Sequence, residues 1–293
     1  SWCKHCVRGK SKAHPHRIND GRISDVPVVS IDYMFMNQSQ SAKEEKGMPN
    51  LVMKDRDTKT VKACTVTSKG VNDYAVRRLV KAIEELGHKR IIFKSDGENV
   101  IIALKKRIKH ILPLRFVLEE SPVGDHQANG EIEMANQQVQ GQLRIMKSGF
   151  ESRIITTLEG THPLTPSLLI HASDTLNRYV KGECGRTAYQ KVKGRAFRTP
   201  VSEWGECVLY CRLNSVGGNK SEPRWEEGVW LGVKDTTGEA IIGTSQGVIK
   251  ARDWKHQGTH QERWNAELIL AVKETQWEPV PGSNRQELLP QIH

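Results

Sequence analysis

Three acids stand where their surroundings call for an explanation. Asp32 lies inside the apolar run Val28-Val29-Ser30-Ile31-Asp32-Tyr33-Met34-Phe35-Met36. Asp96 closes the segment Ile91-Ile92-Phe93-Lys94-Ser95, just before Gly97. Glu133 heads a polar row, Glu133, Gln137, Gln140, Arg144 and Lys147, beside an apolar stripe of Ile132, Ala135, Val139, Leu143, Met146 and Phe150. An ionised carboxylate inside a buried strand is costly unless it is paired or metal-bound. An acid at the C-terminal end of a strand sits where α/β sheets place their chemistry. Carboxylates that converge from a central strand, a neighbouring strand end and a facing helix repel one another, so their shared ionised state needs cations. Hard oxygen ligands select Mg2+ or Mn2+. Two such ions about 3.5–4 Å apart can activate an attacking oxygen and stabilise the leaving one in phosphoryl transfer. Two of the acids also have an ordinary reading: Asp32 paired with a neighbouring arginine or capping a loop, and Asp96 in an Asp-Gly turn. Glu131, across the stripe, reads as an acid complementing the helix dipole.

Elements able to position these acids are legible in the hydrophobic pattern. Residues 26–36 read as a strand buried on both faces, and 51–70 as two strands joined near Asp57-Thr58. Residues 73–87 read as a helix, with Val76, Leu79, Val80, Ile83 and Leu86 on one face and Gly87 as its terminator. A strand at 90–95, a helix at 98–111, a strand at 115–119 and helices at 131–152 and 165–180 follow. This order predicts an α/β fold, a mixed sheet with helices on its faces. Beyond residue 200 the composition shifts: Trp204, Trp225, Trp230, Trp254, Trp264 and Trp277 lie there, and no Phe follows Phe197. The segments "ECVLYCRL", "EEGVWLGV", "EAIIGTS" and "GVIKARDW" predict a small β-barrel.

A formal net charge of +10 favours a polyanionic partner, nucleic acid before acidic membrane. No run of about 18 apolar residues is present, so no membrane span is expected. The six cysteines are sparse and irregular, as in reduced thiols of an intracellular protein.

With these residues in view, the sequence resembles the integrase region of copia-type (Pseudoviridae-like) LTR-retrotransposon Pol polyproteins, of the D,D,E ribonuclease-H-like superfamily. The resemblance rests on Ile31-Asp32-Tyr33-Met34, on Lys94-Ser95-Asp96-Gly97-Glu98, and on Ser121-Pro122 followed by Asn129-Gly130-Glu131-Ile132-Glu133. Thr187-Ala188-Tyr189, Lys193-Gly194-Arg195 and Gly228-Val229-Trp230-Leu231-Gly232 add weaker matches. It implies a ribonuclease-H-like core, with a mixed five-stranded sheet, at 21–182. A linker at 183–202, an SH3-like barrel at 203–256 and an extended tail at 257–293 would follow. It also implies that Asp32, Asp96 and Glu133 are catalytic and bind two Mg2+ or Mn2+ ions. The implied reaction is trimming of DNA 3′ ends and their transfer into target DNA. Its partners would be the element's DNA ends, target DNA and further copies of the chain, in the nucleus or a cytoplasmic virus-like particle. The family pattern Ser-Asp-Asn-Gly-x-Glu is shortened here, Asp96 being followed directly by Gly97-Glu98. "CKHC" resembles the end of the family's His-His-Cys-Cys zinc module, so residues 1–20 would be its remnant. Cys3 and Cys6 are half of a zinc site and are not expected to hold the ion alone.

The basic run "LKKRIKH" (104–110) reads either as a solvated helix face or as phosphate contacts by Lys105, Lys106 and Lys109. Arg144 and Lys147 are the residues expected to touch a DNA end. Two other readings remain: a ribonuclease-H-like nuclease that only hydrolyses, and a catalytically decayed domain that retains DNA binding.

Overall fold

The apolar run at 28–36 forms the central strand of a sheet, where helices cover both of its faces. In the computed structural model, which describes residues 26–36, 47–120, 129–211, 221 and 223–273, β1 (Val28–Met34) lies between β2 (Asn50–Asp55) and β4 (Arg90–Ser95). β3 (Val61–Thr65) and β5 (Arg115–Glu120) complete five strands in the order β3-β2-β1-β4-β5. The first three strands pair antiparallel, while β4 and β5 run parallel to β1. This mixed sheet, flanked by helices on both faces, is the ribonuclease-H-like arrangement.

Period-two alternation decides which helices each strand residue meets. Val29, Ile31 and Tyr33 pack with α1 (Asp73–Leu86) and α2 (Asn99–Ile111) in one core. Met34 and Val52 pack with α3 (Gly130–Ile154) and α4 (Leu164–Tyr179) in the other. α1 starts where the Asn72 side chain accepts the Ala75 N–H at 2.8 Å. It stops at Gly87, whose left-handed backbone (φ 73°) suits a residue without a Cβ.

β3 lies at the sheet edge, and α4 covers it. The Asn177 amide accepts the Val61 N–H (2.8 Å) and donates to the Val61 carbonyl (2.6 Å), and Ser173 Oγ accepts the Ala63 N–H. Beside them Lys62 bonds Asp174 at 3.1 Å, while Arg178 reaches Asp235 at 2.7 Å and the Val233 carbonyl at 3.1 Å. Val233 and Asp235 lie at the end of a strand of the second sheet, so this ionic group ties the two sheets together.

The second sheet is antiparallel, in the order β10-β6-β7-β8-β9, from β6 (Cys207–Cys211), β7 (Trp225–Val233), β8 (Ala240–Thr244), β9 (Gly247–Ala251) and β10 (Trp254–His256). It is SH3-like in kind, and Trp230 is fully buried, with its ring 5.6 Å from that of His171 on α4. Burial pushes the His171 pKa down to about 4, so the ring is neutral at physiological pH. Trp225 and Trp254 are only partly buried.

Two expectations about connections need correction. The 183–202 linker contains a helix, α5 (Ala188–Lys193), closed by a capping box between Thr187 and Gln190. The tail is not extended at its start. α6 (His260–Arg263) and α7 (Ala266–Leu270) form there, and Trp264, Ile269 and Val272 are buried against the barrel. The fully buried Glu206 anchors this segment by accepting from His256 and Arg263, each at 2.7 Å, and from Ser202.

Gly205 sits where this connection crosses α3. Its φ is +85°, and a Cβ there would lie 2.4 and 2.7 Å from two ring carbons of Phe150. Gly205→Ala is expected to cost about 2–4 kcal/mol from left-handed strain plus overpacking, read as a lower urea midpoint; an unchanged midpoint would show that the ring moves aside freely.

Candidate active site

Adjacent strands bring the first two acids near each other. Asp32 shares its parity with Met34, so it faces α3, while Ser95 shares its parity with Phe93 and faces α2. Asp96 follows directly on the strand end, near enough for its charge to act on Asp32. Asp32 Oδ1 accepts the Tyr33 N–H at 2.7 Å, and Oδ2 accepts from the Asn136 amide at 2.9 Å. Burial pushes the Asp32 carboxyl up to about 6; the two hydrogen bonds oppose the rise, and the charges of Asp96 and Glu98 add to it. Asp96 Oδ1 accepts the Glu98 N–H at 3.3 Å, the tight turn expected of Asp-Gly.

The shortened turn leaves Glu98 engaged elsewhere. Both its carboxylate oxygens lie 2.9 Å from Lys69 Nζ, and Lys69 in turn lies over the rings of Tyr33 and Phe35. The loop carrying Lys69 is tied down by the Gly70 N–H, which donates to the Tyr33 hydroxyl at 2.9 Å.

α3 offers two acids in its first turn, and the structure distinguishes them. Glu131 bonds Arg56 at 2.7 Å. Glu133 is exposed and makes no hydrogen bond or ion pair with the described residues. It stands one helical turn before Asn136, which touches Asp32. Asn136 was not singled out in the sequence; its only signal was its place three residues beyond Glu133, between the apolar stripe and the polar row.

Asp32 and Asp96 are therefore neighbours, and Glu133 approaches from the next turn without joining them. Among the described residues, no group of three or more His, Cys, Asp or Glu side chains is arranged to hold a metal ion. The donors nonetheless suit a hard divalent ion. Asp32 is a half-buried acid beside like charges with no cation bonded to it among the described residues, and the buried Asn136 side-chain carbonyl has no partner among them.

The expected DNA contacts divide. Lys106, Lys109 and Arg144 are exposed, and Lys147 is partly exposed with Glu151 3.7 Å away. Lys105 cannot touch a phosphate: it is fully buried and bonds Ser95 Oγ at 3.1 Å and the Glu119 carbonyl at 2.7 Å. Its spacing already placed it under the helix, four residues from Ile101 and next to Leu104. Cys3, Cys6 and the Ser121-Pro122 block lie outside the described residues.

The fold is that of an α/β chain with a mixed five-stranded sheet flanked by helices and a second, antiparallel sheet. No family model matches the chain, and no curated protein matches it. Among solved structures, it is similar to the catalytic core domain of BIV integrase at 15% identity and a TM-score of 0.37, over 57% of this chain and 93% of that one. It is also similar to a simian T-cell lymphotropic virus intasome in complex with the PP2A regulatory subunit B56 gamma. That match has 15% identity and a TM-score of 0.38, over 79% of this chain and 81% of that one. Likeness at this level says nothing about what the chain acts on.

Proposed function

We propose that this chain is a copia-type integrase, a divalent-metal-dependent polynucleotidyl transferase that trims DNA 3′ ends and joins them to target DNA. The observation that supports this reading best is Asp32 on the central strand, close enough to Asp96 at the end of the neighbouring parallel strand to feel its charge, and bonded to Asn136 on the helix whose first turn offers a Glu133 with no partner among the described residues. Asp32, Asp96 and Glu133 would hold two Mg2+ or Mn2+ ions. When bound, the ions supply Lewis acidity for attacking and leaving oxygens. The chain's own residues orient this set: Asn136 holds one oxygen of Asp32, the Tyr33 N–H holds the other, and the Glu98 N–H holds Asp96. Water is the nucleophile for trimming and a DNA 3′-hydroxyl for joining, so no covalent enzyme intermediate is required.

The net charge of +10 and the exposed Lys106, Lys109 and Arg144 supply a surface for DNA phosphates. Joining one DNA end to another duplex in pairs requires more than one copy of the chain, so a homo-oligomer on DNA belongs to this proposal. Among the described residues no helix is long and apolar enough to cross a membrane.

The deciding experiment supplies a pre-cut DNA end and a target duplex with Mg2+, Mn2+ or chelator. Metal-dependent joined product supports an integrase. Hydrolysis without joining moves the reading to a nuclease, and DNA binding without either reaction moves it to a decayed domain. Lys106→Glu with Lys109→Glu is expected to weaken DNA binding and to reduce the slope of log affinity against log salt by about 2. An unaltered slope would leave α2 as a solvated face only.

A further inference from the structure

The mispredicted Lys105 is the best-placed residue to act on this site from behind. It lies on α2 in line with Ile101 and Ile108, where an apolar side chain would complete the row. A buried ammonium costs several kcal/mol in lost hydration, and methionine would fill comparable space without that cost. The ammonium instead reaches the C-terminal ends of two parallel strands. One N–H meets Ser95 Oγ at 3.1 Å and another meets the Glu119 carbonyl at 2.7 Å. The Ser95 hydroxyl, itself fully buried, donates to the Asp96 carbonyl at 2.8 Å. A relay thus runs from Lys105 through Ser95 to the backbone of Asp96. It enters from the sheet face opposite to the one Asp32 occupies.

We infer that Lys105 is a positioning residue, which through Ser95 fixes the Asp96 turn and sets an ammonium group behind Asp96 before a metal ion arrives. This rests on the metal-dependent reading of the site. Three physical consequences support it. The peptide plane of Asp96 has one orientation while its carbonyl is held, so the carboxylate leaves the strand in one direction. The ends of β4 and β5 are pinned together where Ser95 pairs with Glu120, the last residue pair of that ladder. And the ammonium acts on Asp96 without occupying a ligand position.

The test uses the whole chain and three variants, Lys105→Met, Lys105→Arg and Ser95→Ala, with Mg2+ and Mn2+ affinity read by calorimetry and folding read by urea denaturation. Lys105→Met is expected to keep or raise the urea midpoint, since replacing a buried charge by an apolar group is often neutral or stabilising. Its metal affinity is expected to fall about tenfold or more, as for loss of a group that orients metal ligands. Joining by this variant should fall at low metal and recover at saturating metal. Lys105→Arg, which retains charge and donors, should lose less affinity than Lys105→Met. Should Lys105→Met fail to fold, Ser95→Ala carries the test, because it cuts the relay while retaining the buried cation; a severalfold loss of metal affinity supports the role. Unchanged metal affinity in a folded Lys105→Met or in Ser95→Ala overturns it. A native chain that binds neither ion sinks the metal reading itself, and with it this role; native binding with unaltered variants sinks this role alone.

Discussion

Glu133→Gln is expected to reduce metal-dependent strand joining by about 10³-fold or more, the loss associated with removing several kcal/mol of charge stabilisation from a phosphoryl transfer. Glutamine matches glutamate in volume and in helix propensity, so α3 should form as before. The parallel substitution Glu131→Gln is the informative contrast. Glu131 occupies the same turn and bears the same charge, but its carboxylate is held by Arg56 at 2.7 Å. Its loss should leave joining within a few-fold of native. Glu133 has no described partner to lose, so an effect confined to Glu133→Gln cannot come from a broken ion pair. Native-like joining by Glu133→Gln, or an equal loss in both variants, would remove Glu133 from the catalytic set.

Asp174→Ala is expected to cost roughly 2–4 kcal/mol in stability. Its side chain is 16% exposed and lies 3.1 Å from Lys62 and 3.5 Å from Arg178, whose own side chain is 2% exposed. Removing the acid leaves two buried cations with less compensation, which costs more than a surface pair is worth. Burial alone would raise the Asp174 pKa, but the Lys62 and Arg178 charges more than offset it and hold the carboxyl down at about 2. Because the folded value is depressed, this stabilisation is present above the unfolded value of 3.8 and is lost as pH falls toward about 2. Urea midpoints measured between pH 6 and pH 2 should therefore show a falling component in the native chain that is absent from Asp174→Ala. Identical pH profiles would show that the ionic group contributes nothing net.

Much of this architecture was legible because its signals are local. The periodicity of Val76, Leu79, Val80 and Ile83 with Gly87 fixed α1, and the unbroken apolar run around Asp32 fixed a central strand. Asp32 and Asp96 drew attention in the sequence because one interrupts an apolar run and the other follows a strand end before a glycine. Lys105 was misread although its spacing was visible: it was grouped with Lys106 and Lys109 by charge rather than with Ile101 and Ile108 by face. Asn136 and Asn177 could not be read, because an amide gains its role from a partner 104 or 116 residues away. The buried start of the tail was missed because Trp264, Ile269 and Val272 are too sparse to set a period.

The seal along β3 has a consequence for how the chain is made. Val61 is satisfied by an amide 116 residues further on, so throughout the synthesis of the intervening segment the β2–β3 hairpin waits with its outer backbone bare. Unpaired strand edges of this kind template pairing between molecules. Crowded nascent or refolding chains should therefore be vulnerable to zipping onto one another through that ribbon. The hazard ends only when the helix bearing Asn177 docks.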